Sequence, residues 1–478
     1  MKTQLLIGFF LLVVAVGFFA CGGDDDDDND DGAPADDDTL DDDAIDDDTA
    51  IDDDDDDDNT APTLYAGAAK VDVTPDFDTM LGGYGTYFLL QSWCRWSTGV
   101  HDPLYATAVA LKDAVGQTVI QIAVDSVGLL KDDVQSIRDQ VAAQTGLAVE
   151  QVFVSASHSH QTPDTVGLWG VIIPPISGRM PEYMELLLGG AVDAGVMAYD
   201  DLRPAFAVAN SGFEPNYHFN FLWDKDDDAI TDSTMTVLGL YEETTGKVIA
   251  TMMNWGSHPT ILPPENTLLS ADFVGGYYEA MDGDLGGVNM FLQGNIGASV
   301  RSQNTYQPFE PSPDGQAWGT WEDAWRVGRG LADTAQLLLD DGVEIENPMI
   351  RIKHQTGSFL FMNPFFTLVG KLGLIPRDVP AMGEYADTII SAWRMGPFTL
   401  ATAPGEVVPK LGLELRDVMT GDYKMIVNLG QDWVGYLMYP EMFNNLFVYF
   451  EYSMVCPSGQ TAQGMIDAYT ALFADPKF

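Results

Sequence analysis

The chain has 478 residues, is 46% hydrophobic and carries a formal net charge of -51. Its length allows one large or two to three ordinary domains, and its apolar content supports a sizeable core. Residues 24–59 hold 23 aspartates and no basic residue, and the rest of the chain is acidic in its own right. Such a surface repels nucleic acid and anionic membrane faces, so nucleic acid is not expected as a partner and a membrane is expected only through a lipid anchor.

Met1-Lys2 is a short basic start, Leu5 to Phe19 is apolar, and Ala20-Cys21-Gly22-Gly23 follows. This order resembles a bacterial lipoprotein signal, although Phe18 stands where Leu is usual. Residues 1–20 are then a cleaved signal and Cys21 the lipidated residue; an ordinary secretory signal or an uncleaved anchor is the alternative. The expected location is the bacterial cell envelope, lipid-anchored at the outer membrane or on the periplasmic face. Residues 21–60 repeat Asp clusters that cannot bury a core and repel one another, which predicts a disordered, extended tether. They lack the glycine turns of calcium-binding loops. Cys94 and Cys456 are left as an even pair in an oxidising compartment, open to a disulfide or to two buried thiols.

From residue 61 to 478 the sequence reads as one large domain. Ala66–Val73, Ala106–Leu111 and Val119–Val124 read as strands, Asp132–Thr145 as a helix and Val152–Ser155 as the next strand. Tyr183–Tyr199 reads as a helix. Thr234–Tyr241 and Val248–Met253 form a hairpin around Thr244-Thr245-Gly246, and 316–339 is a long amphipathic helix. Phe398–Ala401 is a strand ending at Pro404-Gly405-Glu406, Val407–Val418 a helix and Met425–Leu429 a strand. Strand, helix, strand alternation predicts an α/β fold with a mixed central sheet and crossover helices.

Two of six histidines lie one residue apart, in Ser157-His158-Ser159-His160, after the buried run Val152-Phe153-Val154. Strand alternation would put these imidazoles on opposite faces, one toward a metal and the other toward a different wall of the cleft. His258, in Asn254-Trp255-Gly256-Ser257-His258-Pro259, follows a second apolar run. Catalytic zinc sites combine histidines with a carboxylate and keep a position open for water. Glu406, after its Pro-Gly turn, is the preferred carboxylate, placed at the start of a helix. On residues alone it is open to a role as a helix cap, and each histidine to a structural role. The glycine loop Leu81-Gly82-Gly83-Tyr84-Gly85 lacks phosphate-loop spacing and reads as a turn near a cleft.

Several blocks together resemble the neutral/alkaline, non-lysosomal ceramidase family, from about Ala66 to Tyr452. They are Ala68 to Pro75, Gly83-Tyr84-Gly85, His101 to Ala106, Ser157 to His160, Asn254 to Pro259, Glu265-Asn266, Ser270-Ala271-Asp272, Pro404-Gly405-Glu406 and Gly435-Tyr436. The resemblance implies a zinc-dependent hydrolase that cleaves the amide, or alternatively the ester, of a ceramide-like or other acylated substrate. It implies His158, His258, Glu406 and Tyr436 as the Zn2+ ligands and His160 as the residue that polarises the carbonyl or shuttles a proton. Ser299 and Tyr449, with Tyr452 as the alternative to the latter, complete the catalytic set.

The chain departs from the family in two places. Asn295-Ile296-Gly297-Ala298-Ser299 lacks an Asp and shifts the Ser by one, and Ser211 stands where the family has an arginine, with His218 or Arg301 as substitutes. The family's C-terminal sandwich domain has no counterpart here. A surface binding protein that keeps the metal without the reaction is the rival reading.

Overall fold

The computed structural model describes residues 63–84, 95–171, 174–220, 230–297, 300–302, 319–444, 450–475 and 478. They fall in one compact unit, Pro62–Phe478. The expected signal, tether and lipid site at Cys21 lie outside the described residues, as do Cys94, Ser299 and Tyr449. Among the described residues no helix is long and apolar enough to cross a membrane.

The main sheet is mixed, as the strand and helix order implies. Its strands are β1 (Leu64–Asp72), β2 (Tyr105–Asp113), β3 (Thr118–Val124), β4 (Val152–Ala156), β5 (Arg203–Phe213), β6 (Thr234–Glu242), β7 (Val248–Trp255) and β8 (Val288–Gln293). They lie in the order β8-β7-β6-β5-β1-β2-β3-β4, with Val343–Glu344 added beside β5. The six central strands pair antiparallel, and the two outermost pairs, β3 with β4 and β7 with β8, are parallel. A parallel pair needs a crossover, and helices supply it on both sides. α1 (Lys131–Thr145) joins β3 to β4, and α2 (Phe273–Asp284) joins β7 to β8.

Both edge units carry clear local signals. Every residue of β3 and β4 is buried, the continuous apolar pattern of a strand covered on both faces. α1 ends at Gly146, whose φ of 74° is the left-handed cap glycine adopts readily. The long helix starts at Trp321 and runs to Asp340. Thr320 and Asp323 form its capping box: Thr320 Oγ1 accepts from Asp323 N and the Asp323 carboxylate from Thr320 N. The expected start near 316 lies outside the described residues.

A second, four-stranded sheet runs β9 (Ile350–Leu360), β10 (Tyr385–Met395), β11 (Phe398–Thr402) and β12 (Tyr423–Val427). It docks on the main sheet through polar groups as well as apolar packing. Gln431 N donates to Val154 O and its side-chain oxygen accepts from Val154 N, which covers the free edge of β4. Asn428 N donates to Gln293 O, and Asn254 Nδ2 to Ile426 O. The main sheet also curls, so that the end of β8 lies beside the end of β4. Gln293 Nε2 marks the meeting point, donating to Ser157 O at 2.8 Å and Ser257 O at 3.0 Å.

Candidate metal centre

His158 comes two residues after β4 and adopts a φ of 68°, unusual for a residue other than glycine. Its main chain is held there by Ser126, whose carbonyl accepts His158 N. Its Nδ1 lies 2.6 Å from Val127 O. A carbonyl only accepts, so Nδ1 carries the proton and Nε2 is left to face the site. The left-handed residue also ends strand alternation. His160 Nε2 therefore lies 3.3 Å from His158 Nε2, and the expectation that the two imidazoles face different walls is corrected.

Gly83 explains how the second ring fits. It has a φ of 102°, and a Cβ there would fall 2.2 Å from His160 Cγ. The Tyr84 ring meets the imidazole edge-on at 5.0 Å between centroids. The glycine loop is thus a turn packed directly against a site histidine.

His258 follows β7, buried, with its Nε2 3.2 Å from Glu406 Oε2. The same oxygen lies 3.4 Å from His158 Nε2. Glu406 does not start or cap a helix, as the sequence led us to expect. It lies in the two-residue strand Glu406–Val407, and α3 (Pro409–Val418) starts beyond it with Val408 as its cap. That strand pairs in parallel with Tyr436–Leu437, Glu406 opposite Tyr436. The turn is tight because a Cβ at Gly405 would lie 2.2 Å from Gly435 O. Tyr436 is buried, its ring edge-on to Tyr452 at 5.0 Å. Of the four residues expected as ligands, the side chains of His158, His258 and Glu406 meet at one point, and the backbone of Tyr436 pairs with that of Glu406.

The electrostatics at the meeting point favour a cation. With Nδ1 held by Val127 O, His158 turns its Nε2 toward a carboxylate oxygen 3.4 Å away. Burial would raise the pKa of Glu406, but the charges and hydrogen bonds of His158 and His258 outweigh it and hold the carboxyl well below the usual range. Two donors each about 2.1 Å from one zinc-sized ion at a tetrahedral angle lie ~3.4 Å apart. The observed separations of 3.2, 3.3 and 3.4 Å match that spacing. His158, His160 and His258 also offer ring nitrogens all within 4.8 Å of one another. Imidazoles with one carboxylate suit zinc-type ions rather than calcium or magnesium. The donor set fits a metal.

Several neighbours escaped the sequence reading. Gln293 binds both histidine loops, as described. Trp433 Nε1 donates to Glu406 Oε1 at 3.2 Å. Arg95 donates to the carbonyls of Gly82, His160, Pro264 and Asn266 and to Gln161 Oε1, tying three loops around His160. Asp272, at φ 59°, caps α2 and accepts the N–H groups of Ile261 and Leu262, fixing the loop after His258. A lone Gln, Trp or Arg outside a motif gives no sequence signal. Asp272 sat inside a family-like block, without an assigned role.

The departures from the family pattern also find places. Gly297 N donates to Val407 O, so the described part of the altered segment, up to Gly297, lies against the Glu406 strand. Asn295 Nδ2 donates to Asp232 Oδ2, itself paired with Arg416. Ser211 bonds Thr236. His218 braces the Gly256 carbonyl and stacks on Trp255, and burial lowers its pKa. Burial thus disfavours the charged form that would stand in for an arginine. The Arg301 side chain lies outside the described residues. Cys456 is a buried free thiol pushed up to about 12 by its burial.

Fold and site together define a curled mixed α/β protein with a buried histidine–carboxylate centre where its sheet edges meet. No family model matches the chain. In structure it is similar to the neutral ceramidase from Pseudomonas aeruginosa, with a TM-score of 0.70 and 18% identity over 87% of this chain and 75% of that one. A ceramidase complexed with C2 aligns with a TM-score of 0.70 and 16% identity over the same shares. In sequence it is similar to neutral ceramidase A from Dictyostelium discoideum, 24% identical over 223 residues. That match covers 44% of this chain and spans only 30% of the relative. The fold is thus that of the neutral ceramidase structures, and part of the sequence is similar to neutral ceramidase A, the family that the motif blocks resemble.

Proposed function

We propose that the chain is a zinc-dependent hydrolase that cleaves the amide bond of ceramide or a related acylated lipid, with ester as the alternative bond. The observation that carries this is the convergence of His158 Nε2 and His258 Nε2 on one oxygen of buried Glu406. Similarity to proteins named as ceramidases supports the substrate class.

His158, His258 and Glu406 would hold the ion, with Tyr436 beside them as the fourth candidate. When bound, zinc supplies Lewis acidity and brings the pKa of water toward about 7. The chain's own residues do the rest. Val127 O fixes the His158 tautomer, and burial keeps bulk water from screening the charges. His160 stands beside the ligand nitrogens, where its Nε2 can carry a proton to the departing amine. Tyr449, or alternatively Tyr452, whose ring is edge-on to Tyr436, would donate toward the carbonyl oxygen. Ser299 keeps its proposed catalytic role. Lipidation at Cys21 would hold the enzyme on the bacterial envelope near its substrate; Cys21→Ser should release it to the soluble fraction.

The test is metal content and turnover on the purified full chain, using short-chain ceramides, N-acyl amines and acyl esters. About one zinc per chain with amide cleavage is expected. Bound zinc with no turnover across that panel would replace this reading with the metal-keeping binding protein. Absence of zinc would remove the metal centre.

A further inference from the structure

We propose that Trp433 is a positioning residue for the metal centre: its indole N–H sets which oxygen of Glu406 faces the histidines. This rests on the metal reading above and adds a residue that the site needs but that does not touch the ion.

The final torsion of a glutamate is broad and nearly two-fold, so its oxygens can exchange places or tilt toward a shared metal. In Glu406 they have different partners. Oε2 meets both histidines, and Oε1 accepts from Trp433 Nε1. An indole N–H only donates. It therefore fixes Oε1 and leaves Oε2 alone toward the ion, the arrangement of a one-oxygen ligand.

The indole is itself held with care. It is buried, with Phe366 tilted against it at 6.2 Å. Gly128 lies so close that a Cβ there would be 3.2 Å from the ring carbons Cγ and Cδ1. Asp432 Oδ1 accepts Trp433 N at 2.8 Å and Lys131 N at 2.9 Å. Arg377 grips Asp432 with both terminal nitrogens and also donates to Trp433 O at 3.0 Å. Thr388 completes the carboxylate's partners.

The chain next to Gly128 matters as much. Val127 O is the partner of His158 Nδ1, so adjacent residues of one loop fix a histidine ligand and the tryptophan that orients the carboxylate. Two ligands distant in sequence are thereby set against a common template. Outer partners of this kind typically change metal affinity by about 10–100-fold when removed.

The experiment uses Trp433→Phe, which keeps an aromatic ring near Gly128 and removes the donor together with part of the ring volume. Zinc affinity of the full chain is measured by competition with a chromophoric chelator, alongside thermal unfolding of the metal-free protein. Affinity should fall about 10–100-fold, beyond whatever the smaller ring costs the metal-free protein in stability. A purely structural tryptophan would lower the metal-free melting point and leave affinity intact. If the parent binds zinc and the variant binds it equally well, the inference is overturned and the metal site stands. If the parent binds no zinc, the metal reading falls and takes the inference with it. Should the variant not fold, 15N-labelled parent gives the answer: one indole N–H resonance should move on zinc addition and be altered in Glu406→Gln. Indole resonances indifferent to both changes overturn the inference.

Discussion

The two edges of the main sheet are built from the same unit, a parallel pair of strands joined by a crossover helix, but they serve the centre differently. At one edge the unit β3-α1-β4 sends its histidines out after the second strand, directly into a left-handed residue. At the other the unit β7-α2-β8 sends His258 out after the first strand and ends the second on Gln293. One edge contributes two imidazoles, the other an imidazole and a brace. Gln293 is fully buried, and its oxygen accepts Ser257 N while its nitrogen reaches carbonyls of both histidine loops. A sheet edge can thus serve a reactive centre by supplying a side chain or by fixing the distance to its neighbour.

Ligand removal breaks the comparison most severely. His158→Ala and His258→Ala should each strip the metal and abolish turnover, because each removes an imidazole whose Nε2 meets Glu406 Oε2. The check is zinc content together with amide hydrolysis; a variant that keeps its zinc removes that residue from the ligand set. Next comes His160→Ala. If His160 handles protons, zinc remains and turnover falls by about 10²–10⁴-fold. If zinc is lost as readily as in His158→Ala, the three-histidine grouping is itself the ligand set.

Gln293→Leu tests the brace. It leaves the ligands in place but deprives two buried carbonyls and an N–H of their partner, with a cost of about 1–3 kcal/mol for each group left unsatisfied. Chemical denaturation should report that loss, and zinc affinity should fall with it. Unchanged affinity would mean that the two edges hold their distance without the glutamine.

The smallest effect expected is a pH slope. Burial raises the pKa of Asp272 to about 7, assisted by the charge of Asp102 and opposed by three backbone N–H bonds. An unfolded Asp titrates near 3.9. The folded group is the one that keeps its proton, so its stabilising contribution is full below about pH 4 and is lost as pH rises through about 7. Melting points of the parent should therefore fall between pH 5 and pH 8. Asp272→Asn should flatten this slope, whatever it does to the absolute melting point; an unaltered slope would assign the titration elsewhere.

The sequence made the strand–helix–strand units readable because their apolar runs and cap glycine are local. It also singled out His158, His258 and Glu406 from strand-end placement and family-like blocks. It misplaced His160, because period-two alternation holds only while the backbone stays extended, and His158 leaves that region. It misread the surroundings of Glu406, since a two-residue bridge to Tyr436 has no local pattern. The long strand β9 and the braces Gln293, Arg95 and Trp433 went unseen: their roles arise from partners remote in the chain.

The curl that brings β8 beside β4 has a kinetic consequence. His258 and Glu406 are 148 residues apart, and the Gln293 bond to Ser157 spans 136. Such contacts close large loops and carry a heavy entropic penalty early in folding. The centre therefore belongs to the late stage of folding, after each edge unit has formed from its own local contacts. A metal bound there ties together segments that separate when the chain opens. It should act as a clasp on the whole molecule, slowing global unfolding more than the fraying of either edge.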